Sequence, residues 1–264
     1  MLFSIITVVY NNHQTISDAL ESVLNQNYRP LEYFIIDGES TDGTLDIIKR
    51  YQDRIKKIVV EPDEGIYDAL NKGLQLAQGE VIGLLNSDDL YIDNDVLGKI
   101  ASVFESHPEV DIVYGDLVYV KAKDIYKTVR YWTSKPYYEH FFEDGEIPPH
   151  PSVFVRKRVY DQIGGFTTEL KFASDYEFIL RALKRYRFKS YYYNEILVRM
   201  RLEGVSNKTW LNRIKGNLEI YRAWRLNFYS PPLRFWFLRF SKKLFQYLKN
   251  PSFEGFGSFQ VLKT

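Results

Sequence analysis

The amino-acid sequence predicts an α/β protein built on a mostly parallel central sheet. Short apolar runs rich in β-branched residues alternate with amphipathic segments from residue 3 to residue 89. Each run ends in polar residues typical of turns, as at residues 37–44. Parallel strands need crossover connections, so strands that alternate with helices at this spacing indicate right-handed βαβ units.

The elements of the first half follow from these signals in order. Residues 3–9 predict a buried strand that Asn11-Asn12 ends, and residues 15–27 carry an apolar stripe at helical spacing. Pro30 ends this first unit. The remaining predicted strands are 31–36, 57–60 and 79–85, and the remaining predicted helices are 45–51 and 65–77.

The middle of the chain is less regular. Ser174 is expected to cap a helix, which would place Asp175 in the first turn, where the helix dipole favours a carboxylate. Gly164-Gly165 is expected to end a shorter helix before it. The other predicted segments are strands at 112–120, 125–132 and 153–155, a loop at 139–151 and a helix at 158–163.

Residues 79–89 form a short apolar run that ends abruptly in carboxylates. Ligands bind beyond the carboxyl ends of strands in open α/β sheets, so Asp88 and Asp89 are expected at a ligand site, with Asn86 on the side of Asp88. Mg²⁺ takes one or two carboxylates and completes its shell with water and phosphate, so Mg²⁺ or Mn²⁺ suits these acids. The alternative is a solvated turn that caps a helix beginning near Asp93.

The composition excludes several kinds of site. The 264 residues contain no cysteine, which rules out disulfides, thiolate nucleophiles and zinc–cysteine centres. The hydrophobic fraction of 45% and the charged fraction of 26% are those of an ordinary globular protein. We see no basic leader and no apolar run of the ~18 residues that a transmembrane helix needs, so a cytoplasmic protein is expected.

The charge is concentrated near the C-terminus. Residues 208–250 contain ten Lys or Arg and one acid, Glu219, and so carry +9; the tail beyond is neutral and the chain carries +1, which leaves −8 for residues 1–207. Basic residues beside Trp, Phe and Leu are typical of helices that lie on anionic lipid. The alternative is a pair of helices packed on the protein body, and nucleic-acid binding is disfavoured because no such motif occurs. Ser230-Pro231-Pro232 would separate the two amphipathic helices, whose apolar stripes are Trp210, Ile214, Leu218, Tyr221, Trp224 and Phe228 in the first and Leu233, Phe237, Phe240, Leu244 and Leu248 in the second.

Five motifs together carry a family resemblance. They are residues 6–11, 36–44, 64–73, 85–89, and the pair 164–166 with 173–177. In this order, residues 3–205 resemble the inverting family 2 glycosyltransferases, whose fold is a single Rossmann-like domain of the A-type (nucleotide-diphospho-sugar transferase) class. The residues within these motifs are most similar to those of bacterial transferases that build exopolysaccharide or lipid-linked repeat units.

The resemblance implies roles for residues of the donor site. Thr7, Tyr10 and Asn11 match the end of the family's first strand, where base and ribose bind. Asp37 matches the acid that accepts the base N–H, and Asp68 matches a position that helps to hold the nucleotide-sugar.

The acidic motif and the catalytic position are carried over in the same way. Asp88 matches the second acid of the family's Asp-x-Asp motif and would bind the metal, with Ser87 and Asp89 beside it in the donor site. Asn86 replaces the first acid and lowers the charge of the site. Asp175 matches the catalytic base, and a serine precedes it where an acid is usual.

Two further residues have open roles. His150 lies in a predicted acceptor-side loop, although a lone loop histidine is more often structural or solvated. Arg201 lies where the family often contacts the diphosphate, and its alternative is an ordinary surface arginine.

The chemistry that the resemblance implies is a single displacement. A base must take the proton of the acceptor hydroxyl, which Asp175 could do, and a divalent metal on Asp88 would stabilise the departing diphosphate. No covalent intermediate is needed.

These expectations fix a domain plan and a function. Residues 1–205 would form the glycosyltransferase domain, with a nucleotide-sugar half at 1–110 and an acceptor half at 111–205, and residues 206–264 a basic aromatic helical extension. We expect transfer from a nucleotide-diphospho-sugar, UDP by family frequency, to a glycan or lipid-linked acceptor at the inner face of the cytoplasmic membrane. The alternative is a non-catalytic nucleotide-sugar-binding or scaffold protein. A dehydrogenase is disfavoured because no Gly-x-Gly-x-x-Gly follows the first strand.

Overall fold

The computed structural model describes residues 1–202 and 210–245, and side chains over the same ranges except 210–213 and 243–245. These residues form one nine-stranded mixed sheet with helices on both faces. The strands are β1 (Phe3–Val9), β2 (Leu31–Asp37), β3 (Lys57–Val60), β4 (Val81–Leu84), β5 (Leu90–Tyr91), β6 (Ile112–Lys121), β7 (Asp124–Trp132), β8 (Val153–Arg156) and β9 (Ser190–Arg201). The helices are α1 (Ile16–Leu24), α2 (Thr44–Lys49), α3 (Ile66–Leu76), α4 (Val96–Ser106), α5 (Lys157–Ile163), α6 (Ser174–Leu180), α7 (Trp210–Leu226) and α8 (Leu233–Phe245).

Four parallel strands form the first half of the sheet, in the order β3-β2-β1-β4. The buried side chains of β1 alternate between the two faces because successive strand residues point in opposite directions. Phe3, Ile5 and Val9 enter one core, and Ile6 and Val8 enter the other. The parallel βαβ arrangement predicted for this half is confirmed.

The second half of the sheet is mixed. β8 pairs antiparallel with both β4 and β6, while β6 pairs parallel with β9. β7 folds back on β6 as a hairpin, and β5 pairs antiparallel with β9 at the far edge. The sequence interpretation missed β9 and β5, since the first half of β9 is polar and tyrosine-rich and β5 has only two residues.

Helix α3 packs closely across β1. Gly73 makes this approach possible, because a Cβ atom built on it would lie 2.4 Å from Ile6 Cγ2. By contrast, Gly98 in α4 has no heavy atom within 4 Å of the equivalent position. The glycine of α3 is therefore required by packing, and the glycine of α4 is not.

The start of α6 differs from the sequence prediction. Ala173 occupies the N-cap, and Ser174 is the first residue of the helix. The Ser174 hydroxyl is buried without a hydrogen-bond partner, so the predicted capping role of Ser174 is wrong. Asp175 does lie in the first turn, as expected.

The two C-terminal helices pack on the second half of the sheet. Ile220 and Trp224 of α7 and Phe235 of α8 are buried in the same core as α6. Ion pairs also hold α8 to the loop between β7 and β8, with Lys242 Nζ 2.6 Å from Glu146 Oε1.

The predicted apolar stripe of α7 does not lie on one face. Trp224 is buried, whereas Leu218, Tyr221 and Phe228 are exposed. The stripe of α8 does face outward at Leu233, Phe237 and Phe240. The predictions for residues 203–209, Leu248 and the rest of the chain after residue 245, and for the side chains of Trp210 and Leu244, lie outside the described residues. In the part of the chain that the structure describes, no helix combines the length and the apolar character needed to cross a membrane.

Candidate active site

A cleft with a volume of about 1220 Å³ opens beyond the carboxyl ends of β1 and β4. This is where open α/β sheets bind their ligands. Eight of the predicted site residues line this cleft: Tyr10, Asn11, Asn86, Ser87, Asp88, His150, Asp175 and the largely buried Arg201. The cleft therefore joins residues that are far apart in the sequence and that come from both halves of the sheet.

The loop after β1 is held to its neighbours by polar contacts. Asn11 takes a left-handed backbone conformation (φ 48°), and its backbone N–H donates to Ser40 Oγ at 2.8 Å. Asn12 Nδ2 donates to Ser87 Oγ at 2.9 Å. Tyr10, at the tip of this loop, is 64% exposed and offers an aromatic face to the cleft.

The structure does not bring Thr7, Asp37 or Asp68 to the cleft surface. Thr7 is fully buried, with its Oγ1 hydrogen-bonded to the Tyr33 hydroxyl at 2.9 Å. Asp68 accepts a hydrogen bond from the Glu64 backbone and lies 3.3 Å from Lys72 Nζ. Thr7 and Asp68 therefore do not line the cleft in this arrangement, and the donor contacts expected of them stay predictions.

Asp37 lies one layer behind the cleft. Its Oδ1 accepts a hydrogen bond from the Ser40 backbone at 2.7 Å, and its Oδ2 is buried without a partner. The adjacent Gly38 is covered by Asp63 and Tyr10, both of which line the cleft. Asp37 is therefore buried beside residues that line the cleft and does not line it itself, and its contact with a base stays a prediction.

The acidic turn after β4 separates its two aspartates. Asp88 lines the cleft, whereas Asp89 is fully buried and accepts a hydrogen bond from Asn86 Nδ2 at 3.0 Å. Burial and the neighbouring Asp88 charge raise the pKa of Asp89 well above its usual range. Asp89 therefore does not line the cleft, and Asn86 is tied to this buried acid through its amide nitrogen.

The donor set of this turn suits a metal that the substrate helps to hold. Among the described residues, no three His, Cys, Asp or Glu side chains cluster so as to hold an ion by themselves. Asp88 offers one carboxylate, and the Asn86 amide, whose nitrogen is used by Asp89, offers its oxygen. One carboxylate with diphosphate oxygens and water is a usual shell for Mg²⁺, so the residues present fit such an ion.

Arg201 lies at the edge of the cleft but is only 4% exposed. Its Nη1 donates to the backbone carbonyl of Asp88 at 2.8 Å, and its Nε donates to that of Ala122 at 3.3 Å. Its Nη2 pairs with the Asp18 carboxylate of α1. Each guanidinium nitrogen has a partner within the protein, so Arg201 anchors the acidic turn, and its expected diphosphate contact stays a prediction.

On the opposite wall, Asp175 has a partner for each carboxylate oxygen. The Tyr67 hydroxyl donates to Oδ1 at 2.9 Å, and His150 Nδ1 lies 3.1 Å from Oδ2. The side chains of Asp175 and His150 are 25% and 33% exposed. Burial, followed by the Asp175 charge, raises the pKa of Tyr67 well above its usual range, so this hydroxyl remains a donor. Tyr67 was not predicted, although it lies within the motif at 64–73.

Helix α7 supports the helix that carries Asp175. Trp224 Nε1 donates to the Tyr176 hydroxyl at 2.8 Å, and Asn227 Nδ2 donates to Glu177 Oε1 at 2.9 Å. Burial raises the pKa of Glu177, an effect that the Arg181 charge opposes. These contacts were not predicted, because the C-terminal segment was interpreted as a separate extension.

Solved structures have the same fold. The chain matches S. aureus TarS 1-349 in complex with UDP-GlcNAc with a TM-score of 0.69 and 19% identity, covering 91% of this chain and 73% of that chain. It matches the mannosyltransferase PcManGT from Pyrobaculum calidifontis, in complex with GDP-Man and Mn²⁺, with a TM-score of 0.64 and 20% identity, covering 91% and 68%. Only 39% of the longer TarS chain is matched. The protein therefore has the A-type glycosyltransferase fold.

Sequence comparison assigns the protein to a family within this fold. Residues 4–162 match the family described as glycosyl transferase family 2, and the chain belongs to this family. A PGL/p-HBAD biosynthesis glycosyltransferase of Mycobacterium bovis is 28% identical over 183 residues, which are 68% of this chain and 69% of the relative. TuaG of Bacillus subtilis, a putative teichuronic acid biosynthesis glycosyltransferase, is 42% identical over 91 residues, or 33% of this chain and 36% of the relative.

Proposed function

We propose that this protein transfers a sugar from a nucleotide-diphospho-sugar to a glycan or lipid-linked acceptor, with inversion, in the biosynthesis of a cell-surface polysaccharide. The observation that carries the proposal is that Asp88, in the turn after β4, and Asp175, in the first turn of α6, line the same cleft. A group for the departing diphosphate and a base for the incoming hydroxyl are the two requirements of a single displacement. The comparisons give no support to the non-catalytic alternative.

The acceptor side of the reaction falls to Asp175. Its carboxylate takes the proton of the acceptor hydroxyl as that oxygen bonds to the anomeric carbon and the bond to the diphosphate breaks. Attack from the wall opposite the leaving group inverts the anomeric configuration. The Tyr67 hydroxyl and the His150 ring leave each carboxylate oxygen with a free lone pair for this proton.

The donor side falls to the acidic turn. Asp88 and the Asn86 oxygen would hold Mg²⁺ or Mn²⁺ together with the diphosphate. When bound, the ion supplies Lewis-acid stabilisation of the leaving diphosphate. Arg201 keeps the backbone of the turn in place through the Asp88 carbonyl.

The nucleotide we propose is UDP. TarS was solved with UDP-GlcNAc, and PcManGT with GDP-Man, so both nucleotides occur among proteins of this fold. The family resemblance and the fold neighbour TarS support UDP for this chain. The exposed Tyr10 ring at the tip of the β1 loop is placed to stack on the base.

We propose that the protein binds the inner face of the cytoplasmic membrane as a peripheral protein. Leu233, Phe237 and Phe240 form a row along α8 and are 90%, 74% and 54% exposed. Exposed basic residues, Lys215 and Arg222, lie on the neighbouring helix α7. An apolar row beside basic residues suits anionic lipid, where a lipid-linked acceptor would be found.

Vesicle sedimentation tests this membrane proposal. The protein should sediment with phosphatidylglycerol vesicles and much less with phosphatidylcholine vesicles. The triple variant Leu233→Ser, Phe237→Ser, Phe240→Ser should stay in solution, while Tyr126→Ser, which removes an aromatic that is 69% exposed on β7, should sediment like the wild type. Equal sedimentation of the triple variant would exclude the α8 row as the contact.

Nucleotide binding tests the proposed function directly. A ligand that binds only the folded state raises thermal stability by mass action. UDP with Mn²⁺ should raise the melting temperature of the wild type more than GDP or dTDP does, and Asp88→Ala should remove the effect of the metal. UDP release from UDP-sugars then measures turnover, which Asp175→Asn should abolish while nucleotide binding remains. If no nucleotide shifts the melting temperature, the donor site is wrongly assigned.

A further inference from the structure

The carboxylate of Asp175 is contacted from two different parts of the fold. Tyr67 reaches Oδ1 from the first turn of α3, in the first half of the sheet. His150 reaches Oδ2 from the turn before β8, in the second half. The Tyr67 hydroxyl donates a hydrogen bond to Oδ1 at 2.9 Å, and the His150 Nδ1 atom lies at ion-pair distance, 3.1 Å, from Oδ2.

Each of the two partners is itself fixed by its surroundings. Tyr67 is only 8% exposed, and its ring packs on Phe166 with 5.8 Å between the ring centroids. His150 begins a short helical turn whose Ser152 is fully buried and donates from Oγ to the Gly115 carbonyl of β6 at 2.7 Å. The short turn that carries His150 is therefore anchored to the sheet through Ser152.

The two contacts restrict the carboxylate more than either alone. A carboxylate on a helix can rotate about its terminal bond, whose torsion is broad and roughly two-fold. The Tyr67 hydrogen bond on Oδ1 and the His150 ring close to Oδ2 restrict this freedom, and each oxygen keeps a lone pair that can accept a proton.

We propose that Tyr67 and His150 are positioning residues for the base, and that they hold Asp175 in the orientation needed to take the proton from the acceptor hydroxyl. The inference rests on the proposed function, because it concerns the same reaction. Neither residue touches the donor in this scheme. Loss of either one lowers turnover and leaves nucleotide binding intact.

Four variants test the inference. Tyr67→Phe removes the hydroxyl and keeps the ring on Phe166, and Tyr91→Phe is its control, because the Tyr91 hydroxyl is buried in the core without a partner and away from the cleft. At position 150, an asparagine amide nitrogen can occupy the place of Nδ1, whereas a glutamine nitrogen replaces Nε2. His150→Asn and His150→Gln therefore separate a positioning donor from mere space filling.

Because the acceptor is not identified, water serves as the acceptor and UDP release from UDP-glucose, UDP-galactose and UDP-N-acetylglucosamine as the readout. We expect Tyr67→Phe and His150→Gln to lower kcat by about tenfold or more, with the donor KM and the UDP-induced melting shift unchanged. Tyr91→Phe should match the wild type, and His150→Asn should recover much of the activity that His150→Gln loses.

The outcomes separate the two levels of inference. Suppose that the wild type releases UDP. If Tyr67→Phe then matches the wild type, or if His150→Asn and His150→Gln both match it, the positioning role is overturned and the proposed function stands. If Tyr67→Phe lowers the melting temperature and the KM changes in step with kcat, its role is structural and the inference also fails. A wild type that binds UDP but releases none from all three UDP-sugars overturns both.

Discussion

Arg201 donates a hydrogen bond from Nη1 to the backbone carbonyl of Asp88 over 2.8 Å. The last residue of β9 therefore fixes the turn after β4, although the two strands are not neighbours in the sheet. The same guanidinium pairs with Asp18 on α1. The cation that is expected to contact a diphosphate thus also keeps the acidic turn in shape.

Replacing Arg201 with methionine should loosen the acidic turn. The partly buried carbonyls of Asp88 and Ala122 would lose the hydrogen bonds from Arg201, and we expect destabilisation of about 1–3 kcal/mol and a weaker Mn²⁺-dependent stabilisation by UDP. Thermal melts with and without UDP and Mn²⁺ measure both effects. Asp18→Asn is the matched control, since it weakens the ion pair but leaves the bond to Asp88. An equal loss of the metal effect in Asp18→Asn would contradict the role of the Asp88 contact.

Glu177→Gln should change how stability depends on pH. The pKa of Glu177 is raised in the folded state by burial, so the folded protein holds this proton more tightly than the unfolded chain. Its contribution to stability is full below the ordinary glutamate pKa of about 4.3 and is lost as the pH rises through the raised value. The wild type should therefore lose stability relative to Glu177→Gln across that window. Denaturant midpoints of both proteins at stepped pH measure the difference, and parallel curves would refute it.

Trp224→Phe should weaken the support of α6 by α7. The variant keeps an aromatic ring in the core but removes the hydrogen bond to the Tyr176 hydroxyl, at a cost of about 1 kcal/mol. We also expect slower UDP release, because Tyr176 is the neighbour of Asp175. Leu218→Ala, at a position 59% exposed on the same helix, should change stability by no more than about 0.5 kcal/mol. If both variants behaved alike, α7 would not support the site.

Two glycine-to-alanine changes in helices should have opposite effects. Gly73→Ala would place a Cβ atom 2.4 Å from Ile6 Cγ2 and should destabilise the protein by about 1–3 kcal/mol through overpacking. Gly98→Ala meets no atom within 4 Å and should stabilise α4 by about 0.5–1 kcal/mol, because alanine loses less backbone entropy. Chemical denaturation of both variants measures the sign, and a stable Gly73→Ala would show that α3 can move away from β1.

The sequence was informative where one physical signal dominates. The buried strand at Phe3–Val9 and the strand at Lys57–Val60 were predicted with the bounds that the structure shows, because a run of β-branched residues bounded by turn residues has few alternatives. Strand β9 was missed, since its pairing with β6 is a tertiary contact that no local pattern announces.

Side-chain direction at the site could not be predicted from the sequence. A position at a strand end does not tell whether a side chain faces the cleft or the core, and so Asp88 and Asp89 were both expected at the ligand although only Asp88 lines the cleft. Thr7, which was also expected at the donor, is buried. Tyr67 was missed as a site residue. A tyrosine within an amphipathic helix is ordinarily assigned to the core, and its hydroxyl contact depends on Asp175, 108 residues away in the sequence.

The antiparallel pairing of β4 with β8 makes the two walls of the cleft parts of one hydrogen-bonded sheet. Val81, Ile82 and Gly83 each face a residue of β8, so the walls cannot swing apart about a hinge without breaking backbone hydrogen bonds. The span between the leaving-group side and the base side is thus set by strand spacing. The cleft therefore has a backbone frame that runs without interruption from β4 to β8.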